Sequence, residues 1–343
     1  MSDKKSHTDN LSRRRLMQQM AAGAAVMAAP PALAQTRPDS TPEDFLKLMK
    51  ELSNWGRWGA DDQTGAVNLI TPAKRKSAMR LAREGASYSM ARNAEFKEAV
   101  DNPVPIVRKT IRTGASVSHT GIASTADNFF IAYHGLVHTH MDTLSHFAYD
   151  GKLYNGFPVD VVTEDGAAKN SIMSYKNGII TRGVLMDMAR HKGVDWLEPG
   201  TPIYPEDLDA WEKKAGVKVQ PGDVMMVRTG RWARRDAKGP WATAKEGLAG
   251  LHMSCARWMH ARDVAILGGD DAQDVMPSRV EGQSQPIHVL CIVAMGMPIF
   301  DNLDLELVAT EAAKRKRWDF LVTASPAAVP GATGSVLNPI ATF

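Results

Sequence analysis

From residue 87 onward the chain alternates short, β-branched runs bounded by Gly or Asp with longer segments of helical spacing. The runs are "PVPIVRKTIRTG", "NFFIAYHGLVHTHMD", "GIITRGVLMDMA", "GDVMMVRTGRW" and "VAILGGDDA", and they read as strands. Between them, "YPEDLDAWEKKAG", "GLHMSCARWMHARD" and "PIHVLCIVAMG" read as helices. Two helix starts precede this region. Thr41 caps and Pro42 opens one, with Glu43 and Asp44 in its first turn, and Thr71-Pro72 opens the other. Such a chain has to bury a sheet under helices, so a mixed α/β (α+β) domain is expected. There is no internal repeat and no break within residues 45–343, which read as a single domain. With 343 residues, 44% of them hydrophobic, a large core is within reach.

The first residues read differently. In "LSRRRLMQQMAAGAAVMAAPPALAQ", the basic Arg13–Arg15 precedes an apolar run, Met20 to Ala29, and Ala32-Leu33-Ala34 offers a small-residue cleavage site. Residues 1–34 are expected to be an export signal of the twin-arginine type, and residues 35–44 a linker. The apolar run is too short to span a bilayer, so a periplasmic protein with no stable membrane anchor after cleavage follows. The net charge of +3, without a long basic block, argues against nucleic acid as a partner. Cys255 and Cys291 lie in apolar sequence and are expected as buried thiols.

Chemistry concentrates in "YHGLVHTHMDTLSHF", which holds His134, His138, His140, Asp142 and His146. On a helix, His134, His138, Asp142 and His146 would align at steps of four. Gly135 and the flanking Phe129, Phe130, Ile131 and Val137 favour a strand instead. On a strand His138, His140 and Asp142 share one face, and a turn through Thr143–Ser145 brings His146 back. Two imidazoles and a carboxylate form an N/N/O set with open positions, which suits a catalytic divalent metal: imidazole suits zinc and iron, and the carboxylate broadens the choice towards manganese. Other signals are weaker. Asp270, Asp271 and Asp274 in "LGGDDAQDV" read as a strand-end turn, since their spacing is wrong for an EF-hand. Trp55 and Trp58 in "NWGRWG" are core or contact residues, or a substrate-binding lid over an aromatic compound.

"HTHMDTLSHF" resembles the H-x-G-T-H-x-D-x-P-x-H signature of the cyclase family, which includes bacterial kynurenine formamidases and isatin hydrolase. Thr139, His140, Asp142 and His146 match in place. "NWGRWGADDQTGAVNLITP", "RGVLMDM", "PGDVMMVRTGRW", "HMSCARWMHARDVAILGGDD", "IHVLCIVAMGMPIFDNLD" and "PGATGSVLNPIA" resemble family blocks in family order. The resemblance implies a compact swivelling β/β/α-type fold with a mixed sheet core, assembled as a homo-oligomer, dimer or tetramer. It implies one or two divalent metals, zinc or manganese, and hydrolysis of an amide-type C–N bond in a cyclic amide or aryl formamide. It makes His140 and Asp142 metal ligands, and His146 a second-metal ligand or the proton-transfer group. It maps His288 to the late family histidine and Asp301 to the late carboxylate. There are departures. The family's first histidine falls on Leu136 and its glycine on His138, so His138 would supply the missing imidazole from a shifted position. Asp301 stands where a glutamate is usual, one methylene shorter, and would ligate directly or through water.

A small-molecule hydrolase therefore leads, with His146, or His288 in second place, moving the proton. A cyclase or dehydratase using the same metal as a Lewis acid is one alternative. A periplasmic binding protein with a relic metal site is the other.

Overall fold

The computed structural model describes residues 40–115 and 120–343. The expected signal, residues 1–34, lies outside the described residues. The first helix, α1 (Pro42–Glu51), begins before residue 45, inside the stretch read as linker. Thr41 Oγ1 accepts from the Asp44 amide and Asp44 Oδ2 accepts from the Thr41 amide, a reciprocal cap that fixes the start. The helix buries Phe45 and Leu48 in the core.

Nine strands form the main sheet: β1 (Ser87–Ser89), β2 (His140–Asp142), β3 (Ile179–Asp187), β4 (Val224–Arg228), β5 (Ile266–Gly269), β6 (Ile299–Asp301), β7 (Asp319–Ala324), β8 (Gly334–Val336) and β9 (Ile340–Thr342). Their order is β1-β9-β7-β3-β4-β5-β6-β2-β8. The central four, β3 to β6, run parallel, and antiparallel strands flank them on both sides. β4 and β5 are buried throughout, as strands covered on both faces must be, and they are apolar except for Arg228 at the end of β4, which pairs with Asp187 and Glu306. β7 alternates buried and half-buried residues, the mark of a strand with one covered face. The sheet and its helices make the expected α/β architecture.

The two runs nearest the histidines fold differently from the expectation. Val107–Arg112 and Ala126–Phe130 pair with each other as an exposed antiparallel hairpin outside the main sheet. Residues 131–139 then bend rather than extend, and only His140–Asp142 joins the sheet. "PIHVLCIVAMG" begins as the short helix Pro286–Val289 and widens into a π turn at Leu290–Ala294. Both cysteines are buried and unbridged. Among the described residues no helix is long and apolar enough to cross a membrane.

Candidate metal centre

β2 lies between β6 and β8, antiparallel to both, with His140 opposite Asp301 and Val336, and Asp142 opposite Ile299 and Gly334. This register sets the carboxylate of β6 beside the histidine and aspartate of β2. His140 and Asp142 are buried, at 2% and 1% exposure. The turn after β2 is closed by the His146 amide donating to the Thr143 carbonyl. It returns the His146 ring to within 3.8 Å of Asp142 Oδ1.

The third imidazole near Asp142 comes from His134. Its Nδ1 is 2.9 Å from Asp142 Oδ1, and His140 Nε2 is 3.3 Å from the same oxygen. His138, the residue favoured by strand alternation, does not join them. Because residues 131–139 are not extended, the two-residue period does not run back through His138. Its buried ring faces the backbone carbonyls of Ala132 and Glu95, and its Nε2 has no well-aligned hydrogen bond. Burial lowers its pKa. What His138 contributes is its carbonyl, which accepts from His140 Nδ1 at 2.8 Å. That bond turns the lone pair of His140 Nε2 toward Asp142, the arrangement that outer hydrogen bonds impose on metal-ligating histidines.

The place of His134 depends on Gly334. A Cβ there would lie 2.5 Å from the Met141 carbonyl oxygen and 2.7 Å from His134 Cε1. The ring fits only because β8 has no side chain at that point. Thr333 Oγ1, 3.1 Å from His134 Nε2, and the Tyr133 hydroxyl, which donates to the Gly334 carbonyl, hold the loop against β8.

A second group forms on the other side of Asp142. His288 Nε2 lies 3.3 Å from Asp301 Oδ2 and 3.8 Å from Asp142 Oδ2. Its Nδ1 is 2.7 Å from Asp274 Oδ2, and the Asp274 carboxylate also accepts the amides of Ile287 and His288. Asp301 Oδ1 accepts from Gln273 Nε2 at 3.0 Å. Thus two triads share one carboxylate: His134, His140 and Asp142, and Asp142, His288 and Asp301. Within each, one donor atom per residue lies within 4.8 Å of the others.

This donor set suits divalent cations. Asp142 Oδ1 is buried, and although ring nitrogens approach it closely, none is aligned as a hydrogen bond. Imidazole nitrogens and carboxylate oxygens that converge this closely in a buried place ask for a cation. Protons carry part of that charge in the metal-free arrangement. Burial opposes a charged His140, but the Asp142 carboxylate outweighs it and pushes its pKa up to about 9. Burial likewise opposes ionisation of Asp142, yet His140, His134 and His146 hold its pKa well below the ordinary carboxylate value. Against its burial, Asp301 and Asp274 raise His288 well above the usual imidazole value. His146 goes the other way: burial, helped by the neighbouring histidines, lowers it to about 4 despite Asp142.

His134, His140, Asp142, His146, His288 and Asp301 line a cavity of about 340 Å³, and Leu136, Phe147, Ala272 and Gln285 are also in its wall. Trp55 and Trp58 do not line it. The Trp55 indole donates to the Val293 carbonyl at 2.7 Å, while Trp58 packs on the core with the Arg57 guanidinium over its ring. Of the aspartates read as a turn, Asp270 is one. It accepts the amides of Thr229, Gly230 and Arg231. Asp274 is not only a turn residue, since it fixes His288. No local spacing pairs Asp274 with His288, because the fold of the intervening loop is what brings them together. The bend at residues 134–138 takes His138 off the face of β2 and carries the His134 ring to Asp142.

The profile of the family described as "Putative cyclase" matches residues 72–273. A crystal structure of a novel cyclase is similar with a TM-score of 0.79 and 32% identity, over 86% of this chain and 99% of that one. Isatin hydrolase A from Ralstonia solanacearum is similar with a TM-score of 0.53 and 18% identity, over 78% of this chain and 95% of its own. Isatin hydrolase A from Labrenzia aggregata, solved with benzyl benzoate, gives 0.55 and 16%, over 79% of this chain and 100% of its own. No curated protein matches the chain. The β2 motif, the sheet around it and these similarities agree: the chain belongs to the cyclase family.

Proposed function

We propose that the protein is a metal-dependent hydrolase that cleaves an amide-type C–N bond, in a cyclic amide or aryl formamide, with zinc or manganese. The observation that carries this reading is the shared carboxylate of Asp142 between two N/O triads. His134, His140 and Asp142 would hold one ion, and Asp142, His288 and Asp301 a second. A bound divalent ion would supply Lewis acidity toward the carbonyl and make water a better acid near neutral pH.

The remaining work falls to the chain. His146 is neutral at ordinary pH and stands at the cavity wall, so its Nε2 can take the proton of an attacking water and return it to the departing nitrogen. His288 is less suited to that task, because Asp274 engages its Nδ1 and its Nε2 is turned to the carboxylates. Leu136, Phe147 and Ala272 give one side of the cavity an apolar face for the substrate's carbon skeleton. The loss of the family's first histidine to Leu136 is what favours a relic site. The ring of His134 near Asp142 weakens that reading. The N-terminal sequence supports placing the reaction in the periplasm, and the family resemblance supports a homo-oligomer.

The test is to incubate the zinc- or manganese-loaded protein with aryl formamides and cyclic amides in ¹⁸O-labelled water and weigh the products. Hydrolysis adds one labelled water per turnover. A product formed without added water would sink the hydrolase reading in favour of a cyclase or dehydratase.

A further inference from the structure

The cavity at the metal centre does not stand alone. Gln285 lines it and also lines a neighbouring cleft of about 550 Å³. Leu136 and Ala272 of the cavity wall and Met276 of the cleft wall belong to one apolar cluster with Trp241. The polar groups of the cleft are Thr243, Ser278, Gln283, Ser284 and Gln285. Among the described residues no lysine, arginine, aspartate or glutamate lines it. The charged residues of the same loop are directed elsewhere, since Arg279 donates to the Gly200 carbonyl and Glu281 is exposed to solvent.

We infer that this cleft is a substrate subsite for an uncharged, hydrogen-bonding extension of the molecule whose C–N bond lies at the metal centre, with Gln285 at the junction. The inference rests on the hydrolase reading for the bond that is cleaved, and on the cleft's own lining for the extension. Hydroxyl and amide side chains both donate and accept, so they match hydroxyl, ether or amide groups. A carboxylate or ammonium entering the cleft would lose water and meet no opposite charge. Met276 and Pro277 add an apolar contact for the carbon chain that carries those groups.

The experiment uses the metal-loaded protein and a series of N-formylanilines: unsubstituted, and bearing a hydroxyethyl, a carboxyethyl or an aminoethyl group para to the nitrogen. The kcat/KM for the hydroxyethyl member is expected to exceed both charged members by about tenfold. Gln283→Lys is expected to raise the carboxyethyl member relative to the hydroxyethyl member by about fivefold or more, with most of the change in KM. Binding of the corresponding free anilines, measured by calorimetry on the same proteins, reads the cleft apart from the chemistry. If no formanilide is turned over but the anilines keep this order, the hydrolase reading fails for this class and the cleft assignment stands. If charged and neutral members are bound alike, or Gln283→Lys leaves their order unchanged, the cleft assignment is overturned.

Discussion

The imidazole of His134 lies flat on that of His146, with ring centroids 3.8 Å apart and planes 6° from parallel. Two imidazoles stacked so closely beside a buried carboxylate cannot both be cationic without mutual repulsion, and burial, with the neighbouring histidines, lowers the His146 pKa to about 4. The stack therefore separates two roles. His134 Nδ1 is the nearer to Asp142, at 2.9 Å against 3.8 Å for His146 Nε2. His146→Ala should keep most of the bound metal and lower kcat by about 10²–10⁴-fold, the usual contribution of a positioned proton-transfer group. Full turnover in a metal-replete His146→Ala protein would remove that role. Loss of half the metal would make His146 a ligand instead.

Metal content separates His134 from His138. His134→Ala and His140→Ala should each lose the ion held by the first triad, and Asp142→Ala should lose both, since its carboxylate is common to the two sets. His138→Ala should stay loaded, because its ring faces Ala132 and Glu95 and only its carbonyl serves His140. Gly334→Ala should behave like a weakened His134→Ala, as the new methyl would crowd the His134 ring. Mass spectrometry of the purified variants decides the matter. Full loading of His134→Ala beside an empty His138→Ala would reverse the assignment.

Much of this centre was readable from the residues. The pairing of His140 with Asp142 follows from two-residue alternation, and β2 supplies it even at three residues long. The return of His146 follows from the turn after it. What failed was the backward extension of that alternation. A strand period holds only while the backbone stays extended, and the chain bends through residues 131–139. Partners from far along the chain were also out of reach. Gly334 seats His134, and Asp274 fixes His288, through contacts that no local pattern encodes. The hairpin of Val107–Arg112 with Ala126–Phe130 has strand composition but lies outside the main sheet, a choice made by sheet topology and not by propensity.

Asp274 offers a test of indirect control. It accepts from the Ile287 and His288 amides and engages His288 Nδ1, so it sets both the start of the helix and the direction of the ring. Asp274→Asn should weaken metal binding by about 10–100-fold, as loss of an outer partner does for ligating histidines. Because the site is fully buried, the substitution should also cost about 1–3 kcal/mol of folding stability. Competition with a chelator measures the first and denaturant unfolding the second. Unchanged metal affinity with lowered stability would reduce Asp274 to a purely structural residue.

The raised pKa of His140 fixes the sign of a pH effect in the metal-free protein. The ordinary value is 6.5 and the folded value about 9, so the folded state holds this proton more tightly than the unfolded chain. The stabilisation is fully present below about pH 6.5 and is lost as pH rises through about 9. Its size is on the order of 1–3 kcal/mol for a shift of this kind, shared with the Asp142 partner. A divalent ion would take the same lone pair at Nε2, so loaded protein should keep its stability over that range, and binding should release protons as pH falls below 9. Thermal unfolding of chelator-stripped and zinc-loaded protein between pH 6.5 and 9.5 gives the comparison. If the stripped protein is as stable at pH 9.5 as at pH 6.5, the proton does not reside on His140. If the loaded protein declines alongside it, His140 does not hold the ion.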